Sequence, residues 1–213
     1  MTLMASGGLL YAASWQRWAG ACPWGRDPES QECDTRMDHL YDFLPPSEPW
    51  MPVGVAAQLA GASLLVLAVA LPPLSWALTG RRPGLGSAVA LFATELAVVA
   101  VGLAALRSGL SGDVVRPVAS DVTMVLWALV PPFLFGRLAV LSRGWARAAA
   151  VLLVLASPLV ASFTYAVGPF DAQPWWEAIS GLLAGGAGAC VLVEAVRRPA
   201  RRRDAMVESA DVI

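Results

Sequence analysis

Apolar positions in this chain fall into long unbroken runs separated by short clusters of charge. They show neither the alternation of a half-buried strand nor the single stripe of a surface helix. Six runs stand out, at residues 1–18, 53–78, 85–106, 122–141, 148–167 and 178–196. A bilayer core of roughly 30 Å takes about 20 apolar residues to cross as a helix, and most of these runs reach or approach that length. The pattern predicts an all-α fold, a polytopic transmembrane helix bundle of about six spans. Two runs are weaker than the rest. The first is short, which leaves five spans as the alternative, and the fourth contains Pro131, Pro132 and Arg137. Residues 1–14 lack a basic n-region and read as a first transmembrane helix or signal anchor rather than a secretory signal peptide.

The expected organisation is one transmembrane helical domain over residues 1–198, with a polar loop at 19–52, followed by an arginine-rich tail at 199–213. Paired prolines recur at Pro72-Pro73 and Pro131-Pro132, each a few residues before arginine. A duplicated hairpin would produce that echo, but the plainer reading is kinks in two helices running in the same direction, since proline is common in such helices.

Composition strengthens the membrane reading. Only 15% of the 213 residues are charged and 57% are hydrophobic, with a mean hydropathy of +0.59, whereas soluble domains carry about a quarter charged residues. A chain this short could not hide all six runs in one aqueous core. The net charge of −1 conceals a polarity along the chain. Every basic residue is arginine, as in GC-rich bacterial genomes. Sorting alternate loops puts Arg81, Arg82, Arg137, Arg143, Arg147, Arg197, Arg198, Arg201, Arg202 and Arg203 on one side, and Arg17, Arg26, Arg36, Arg107 and Arg116 on the other. Ten against five places the first group in the cytoplasm. Both termini are then cytoplasmic, the 19–52 loop is extracytoplasmic, and the expected location is the bacterial cytoplasmic (inner) membrane. Most tryptophans gather at the interfaces, with Trp15, Trp18, Trp24, Trp50, Trp175 and Trp176 at the outer one.

Candidate chemistry is sparse. Cys22 and Cys33 lie eleven positions apart in the external loop, where an oxidising compartment favours a disulfide over two free thiols. Closing such a loop stabilises by about 3 kcal/mol in the chain-entropy model. Residues 34–44 read as a short amphipathic helix, with Met37, Leu40, Tyr41 and Leu44 on one face and Asp34, Asp38 and Asp42 on the other. His39, the single histidine, adjoins that acidic stripe. Asp38, His39 and Asp42 are therefore candidate metal ligands, against the plainer reading of a solvated acidic face.

Glu95 stands near the middle of the third run, where an ionised carboxylate costs several kcal/mol unless it is paired, hydrated or protonated. Ala88 and Gly102, seven residues to either side, give its face small neighbours and turn it towards the bundle interior. It is the candidate ion or proton site, or else a protonated carboxyl bonded within the bundle, with Ser63 the best-placed partner. Arg137 and Glu194, both near the cytoplasmic boundary, are candidates for a structural ion pair. Gly181, Gly185 and Gly188 permit close helix approach in the last run.

No phosphate-binding loop, serine-nucleophile signature or histidine cluster is present, so no cofactor is expected and an enzyme is the weaker expectation. Arginines beside a membrane, without a groove or domain, do not read a nucleic acid. The expected partners are the lipid bilayer and a membrane protein docked on the external loop. The sequence thus favours a non-enzymatic accessory or interaction subunit using its Trp-rich loop, with a small ion- or proton-coupled transporter working through Glu95 as the alternative.

Overall fold

The computed structural model describes residues 1–24, 30–167 and 173–210, and side chains within 1–24, 30–163 and 173–197. Arg26 and the 168–172 stretch lie outside the described residues, as do the side chains of the arginine tail. The described chain is helical throughout, with no strand. The helices are α1 (Thr2–Trp18), α2 (Gln31–Met37), α3 (Ala56–Thr79), α4 (Leu85–Ser111), α5 (Ser120–Leu141), α6 (Gly144–Leu155), α7 (Pro158–Val167) and α8 (Trp176–Ala210), with a 3-10 turn at His39–Tyr41.

Four helices are long and apolar enough to cross a membrane: α3, α4, α5 and the Trp176–Arg197 part of α8. Their outward faces carry Val69, Phe92, Phe133 and Val140, all largely exposed. So broad an apolar exterior suits hydrocarbon as its solvent. α1 has 17 residues, about 25 Å of helix, and packs against α3 and α8 inside the same bundle.

The fifth apolar run is not one helix. It begins at Gly144, stops at Leu155 and resumes at Pro158. Proline disfavours helical backbone in the residue before it and suits the first turn of a new helix, so Ser157-Pro158 divides the segment. The paired prolines of α3 and α5 lie inside helices that continue through them.

Neighbours in the bundle run α1–α3–α4–α5–α6–α8 and back to α1, a closed ring of helices. Glycine lets two of these contacts close tightly. A Cβ on Gly7 would meet the backbone of Gly181 and Gly185, and one on Gly61 would sit 2.6 Å from the Gly102 carbonyl oxygen. The small residues of the last run thus pack within the chain. Ser6 and Ser63 reinforce the α1–α3 seam, the Ser63 hydroxyl donating to the Ser6 carbonyl at 2.8 Å. The apolar core of the ring includes Leu71, Leu74, Leu78, Phe135, Leu138, Ala149 and Leu153. Towards the 30–50 loop it opens.

Candidate functional site

The opening is a cavity of about 310 Å³ under the loop. α1, α3, α4, α5, α6, α7 and α8 all contribute to its wall, through residues such as Leu10, Leu67, Val98, Trp127, Leu153, Ala161 and Ala184. Asp42, Leu44 and Pro45 of the loop complete it from above. Phe43 anchors this lid. It is buried beside Ala13, Ala56, Ala57 and Ala60 of α1 and α3, whose small side chains leave a socket for its ring.

The expected amphipathic helix at 34–44 is divided. α2 ends at Met37, and Asp38 then caps the 3-10 turn by accepting from the Leu40 amide at 2.9 Å. Arg17 supplies the other cause of the break. Its Nε and Nη2 donate to the Arg36 carbonyl at 3.1 and 2.9 Å, and Nη2 also donates to the Asp38 carbonyl at 3.2 Å. These carbonyls turn towards the guanidinium instead of continuing a helix.

The same guanidinium pairs with two carboxylates. Nη1 lies 2.7 Å from Asp42 Oδ1 and 3.5 Å from Glu177 Oε1. Arg17 is 2% exposed, and the Glu177 side chain 12%. Glu177 Oε2 also accepts from Trp18 Nε1 at 2.9 Å and faces the Ser14 hydroxyl at 3.5 Å. One fork of donors therefore ties the end of α1, the lid and the first turn of α8 together, a task suited to arginine's planar geometry.

A tryptophan cluster backs this latch. Trp18 is fully buried beside Met37 and the Cys22–Cys33 disulfide. Trp175 donates through Nε1 to the Cys22 carbonyl and stacks on Trp24 at 4.7 Å. Its φ of +66° is costly for a bulky side chain, of order 1 kcal/mol or more. Those contacts hold it there, and the backbone then delivers Trp176 and Glu177 to the cavity wall.

Two polar atoms of the wall stand out. Ser157 Oγ and Trp176 Nε1 are buried and have no hydrogen-bond partner. Ser157 is at the α6–α7 break, so the proline that interrupts the helix also places a hydroxyl against the cavity.

The sequence-expected sites are dispersed relative to this arrangement. Cys22 and Cys33 form the disulfide. Asp42 is engaged by Arg17, while His39 Nδ1 lies 3.1 Å from Asp38 Oδ1. Among the described residues no group of three acidic, histidine or cysteine side chains is disposed to hold a metal ion. Glu95 is half-buried on α4; its neighbours Thr94 and Val98 line the cavity and it does not. Ser63, its expected partner, is bonded to Ser6. Arg137 lies against the first turn of α4, with Nη1 3.5 Å from a Cβ built on Gly86, whereas Glu194 approaches Gly144 at the start of α6.

Arg17, Trp18, Glu177, Ser157 and Trp176 carry the site, and the sequence reading gave them no such role. Arg17 figured in the sequence reading only as one of the outer-side arginines, and Glu177 did not figure in it. Each is a single charge, of opposite sign, set among tryptophans at the loop end of an apolar run, and that symmetry is the signal that could have paired them. No family model, no curated protein and no solved structure matches this chain, so the cavity and its latch are read on their own geometry.

Proposed function

We propose that this integral membrane protein binds a small, mainly apolar molecule in the lid-covered cavity, with a hydrogen-bond acceptor on the ligand meeting Ser157 and Trp176. The observation that carries this reading is the pair of buried, unpartnered donors in a mainly apolar, lidded hollow whose two carboxylates, Asp42 and Glu177, are both held by Arg17. A buried polar group without a partner costs about 1–3 kcal/mol, and a ligand carbonyl or ether oxygen would recover much of that. A few polar groups within apolar walls are the usual make-up of small-molecule sites.

The tryptophans bear on the docking alternative. An interaction subunit would present them to a partner, but Trp18 and Trp175 are buried inside the lid, leaving Trp15 and Trp24 half-exposed around it. They support the lid's own structure more directly than a docking face. Ion coupling through Glu95 draws no support from the cavity, whose wall does not include that residue.

Native mass spectrometry of protein released from lipid nanodiscs tests the proposal, with wild type compared with Ala184→Trp, which fills the cavity from α8. Wild type is expected to carry one small-molecule adduct that Ala184→Trp lacks. As a second readout, a brominated long-chain amide should quench the fluorescence of Trp127 and Trp176, measured as the difference between wild type and their Phe variants. Absence of both adduct and quenching overturns the proposal.

A further inference from the structure

At the end of the bundle opposite the lid, a second hollow of about 450 Å³ lies between the α3–α4 turn and the end of α5. Every charged residue lining it is basic: Arg81, Arg82, Arg137 and Arg143. None of the four forms an ion pair with a described residue. The first turn of α4 opens onto the same space. Its N-cap, Gly84, has no side chain to satisfy the free amides, so they remain available to an anion. Arg137 lies over that turn, within reach of Gly86. A guanidinium beside the positive end of a helix is a like-charge contact, and an anion shared by both would turn it into an attraction.

Two further observations point to a ligand. Ser75 is 2% exposed, lines the hollow, and its hydroxyl has no hydrogen-bond partner. A second, apolar hollow of about 260 Å³ begins at the same Ser87 and Arg137 and runs between α4 and α5, past Ala90, Val130 and Phe133. A basic pocket at the end of the helices therefore continues into a greasy groove along them.

We propose that this composite site seats an anionic phospholipid. Its phosphate lies among Arg82, Arg137, the Ser75 hydroxyl and the α4 amides, and one acyl chain lies in the α4–α5 groove. Charge complementarity selects an anionic headgroup, and the groove selects a lipid over a soluble phosphate, which would need only the basic half. The arginine count along the chain puts this end in the cytoplasmic leaflet, where basic segments gain about 1 kcal/mol per arginine from anionic lipid.

The test is lipid titration of the purified protein in detergent, followed by native mass spectrometry with dioleoyl phosphatidylglycerol, dioleoyl phosphatidylcholine and inorganic phosphate. Phosphatidylglycerol should bind at least about tenfold more tightly than phosphatidylcholine. Each arginine removed should weaken it about fivefold, so Arg82→Gln/Arg137→Gln should lose about twenty-five-fold if the two act independently. Ser75→Ala and the groove-filling Ala90→Phe should each weaken the lipid, and Arg116→Gln at the lid end should not. Arg82→Gln alone, on an exposed turn, serves if the double variant does not fold. Equal binding of the two lipids, or an unaffected arginine variant, overturns the proposal. Inorganic phosphate binding as tightly as the lipid, with Ala90→Phe unaffected, would assign the pocket to a soluble anion and overturn it equally.

Discussion

Replacing Arg17 by methionine is the sharpest perturbation of the site, because one side chain joins three elements. The substitution keeps an apolar stem of similar length and removes five polar contacts: three to the Arg36 and Asp38 carbonyls and two to carboxylates. Breaking a buried ion pair by deleting one partner costs about 3–5 kcal/mol, since the surviving charge is left uncompensated. Asp42, with a side chain 35% exposed, can turn to water and contributes little of this. Glu177 cannot turn away as easily, yet it keeps its bonds from Trp18 and Ser14. The two loop carbonyls lose their donor as well, at about 1 kcal/mol or more where water does not replace it. The expected total is about 3–4 kcal/mol, a fall in thermal midpoint on the order of 10 °C for a chain of this size. Scanning fluorimetry in a single detergent measures it, and limited proteolysis within the 30–50 loop should accelerate in parallel. Glu177→Gln introduced on top of Arg17→Met removes the stranded charge and should recover at least about 1 kcal/mol, a coupling only contacting residues show. A midpoint within about 2 °C of wild type for Arg17→Met, or a double variant as poor as the two losses summed, would refute the latch.

Four other outcomes follow from the same structure. Reducing the Cys22–Cys33 bridge, or replacing both cysteines by alanine, should lower stability by about 3 kcal/mol and loosen the lid; an intact mass that does not change on reduction would contradict the bridge. Gly7→Ala places a Cβ against the α8 backbone, whereas Gly8→Ala meets nothing within 4 Å. The first should therefore lower stability by about 1–3 kcal/mol and the second raise it by up to about 1 kcal/mol, read as opposite shifts of the thermal midpoint. In a Cys190→Ala background, single cysteines at Glu48 and Asp113 should be labelled by an impermeant maleimide from outside intact cells and one at Arg143 should not; the reverse pattern would invert the topology. Glu95→Gln should leave stability within about 0.5 kcal/mol and leave the cavity adduct in place, and loss of the adduct would tie Glu95 to the site.

The helix content and the broad apolar segments are legible in the sequence because hydrocarbon imposes them residue by residue. The disulfide is legible because its two cysteines are local and share a loop. What the sequence obscures depends on contacts between distant segments. Arg17 and Glu177 are 160 positions apart, and only the α1–α8 crossing, closed by Gly7 and Gly181, brings them together. Helical periodicity at 34–44 pointed to one amphipathic helix, but that reading weighs side chains and cannot anticipate a buried guanidinium capturing two main-chain carbonyls. Glu95 drew attention as the lone charge within its run, yet it is turned about 100° from Thr94 and about 60° from Val98 around α4, which takes it off the cavity wall. The fifth run showed its length plainly, and Pro158 within it was the signal for the break.

The cavity carries an energetic implication of its own. Closed voids in well-packed interiors cost about 24 cal/mol per Å³, and the enclosed part of this hollow carries such a cost while it is empty. Its wall is mainly apolar surface, interrupted by hydroxyls such as Ser157 and Ser180 and by the Asp42 and Glu177 carboxylates. Elsewhere in the ring Leu74, Leu78 and Ala149 pack in the apolar core. At the lid end Pro158 starts a new helix, and Arg17 ties the start of α8 to the loop. On the proposed reading, an occupant of the hollow stabilises the bundle that the buried arginine, the disulfide and the tryptophans cover. With the occupant stripped away, filling the hollow by Ala184→Trp should therefore raise stability while abolishing binding, the trade expected of a functional site and not of a packing defect.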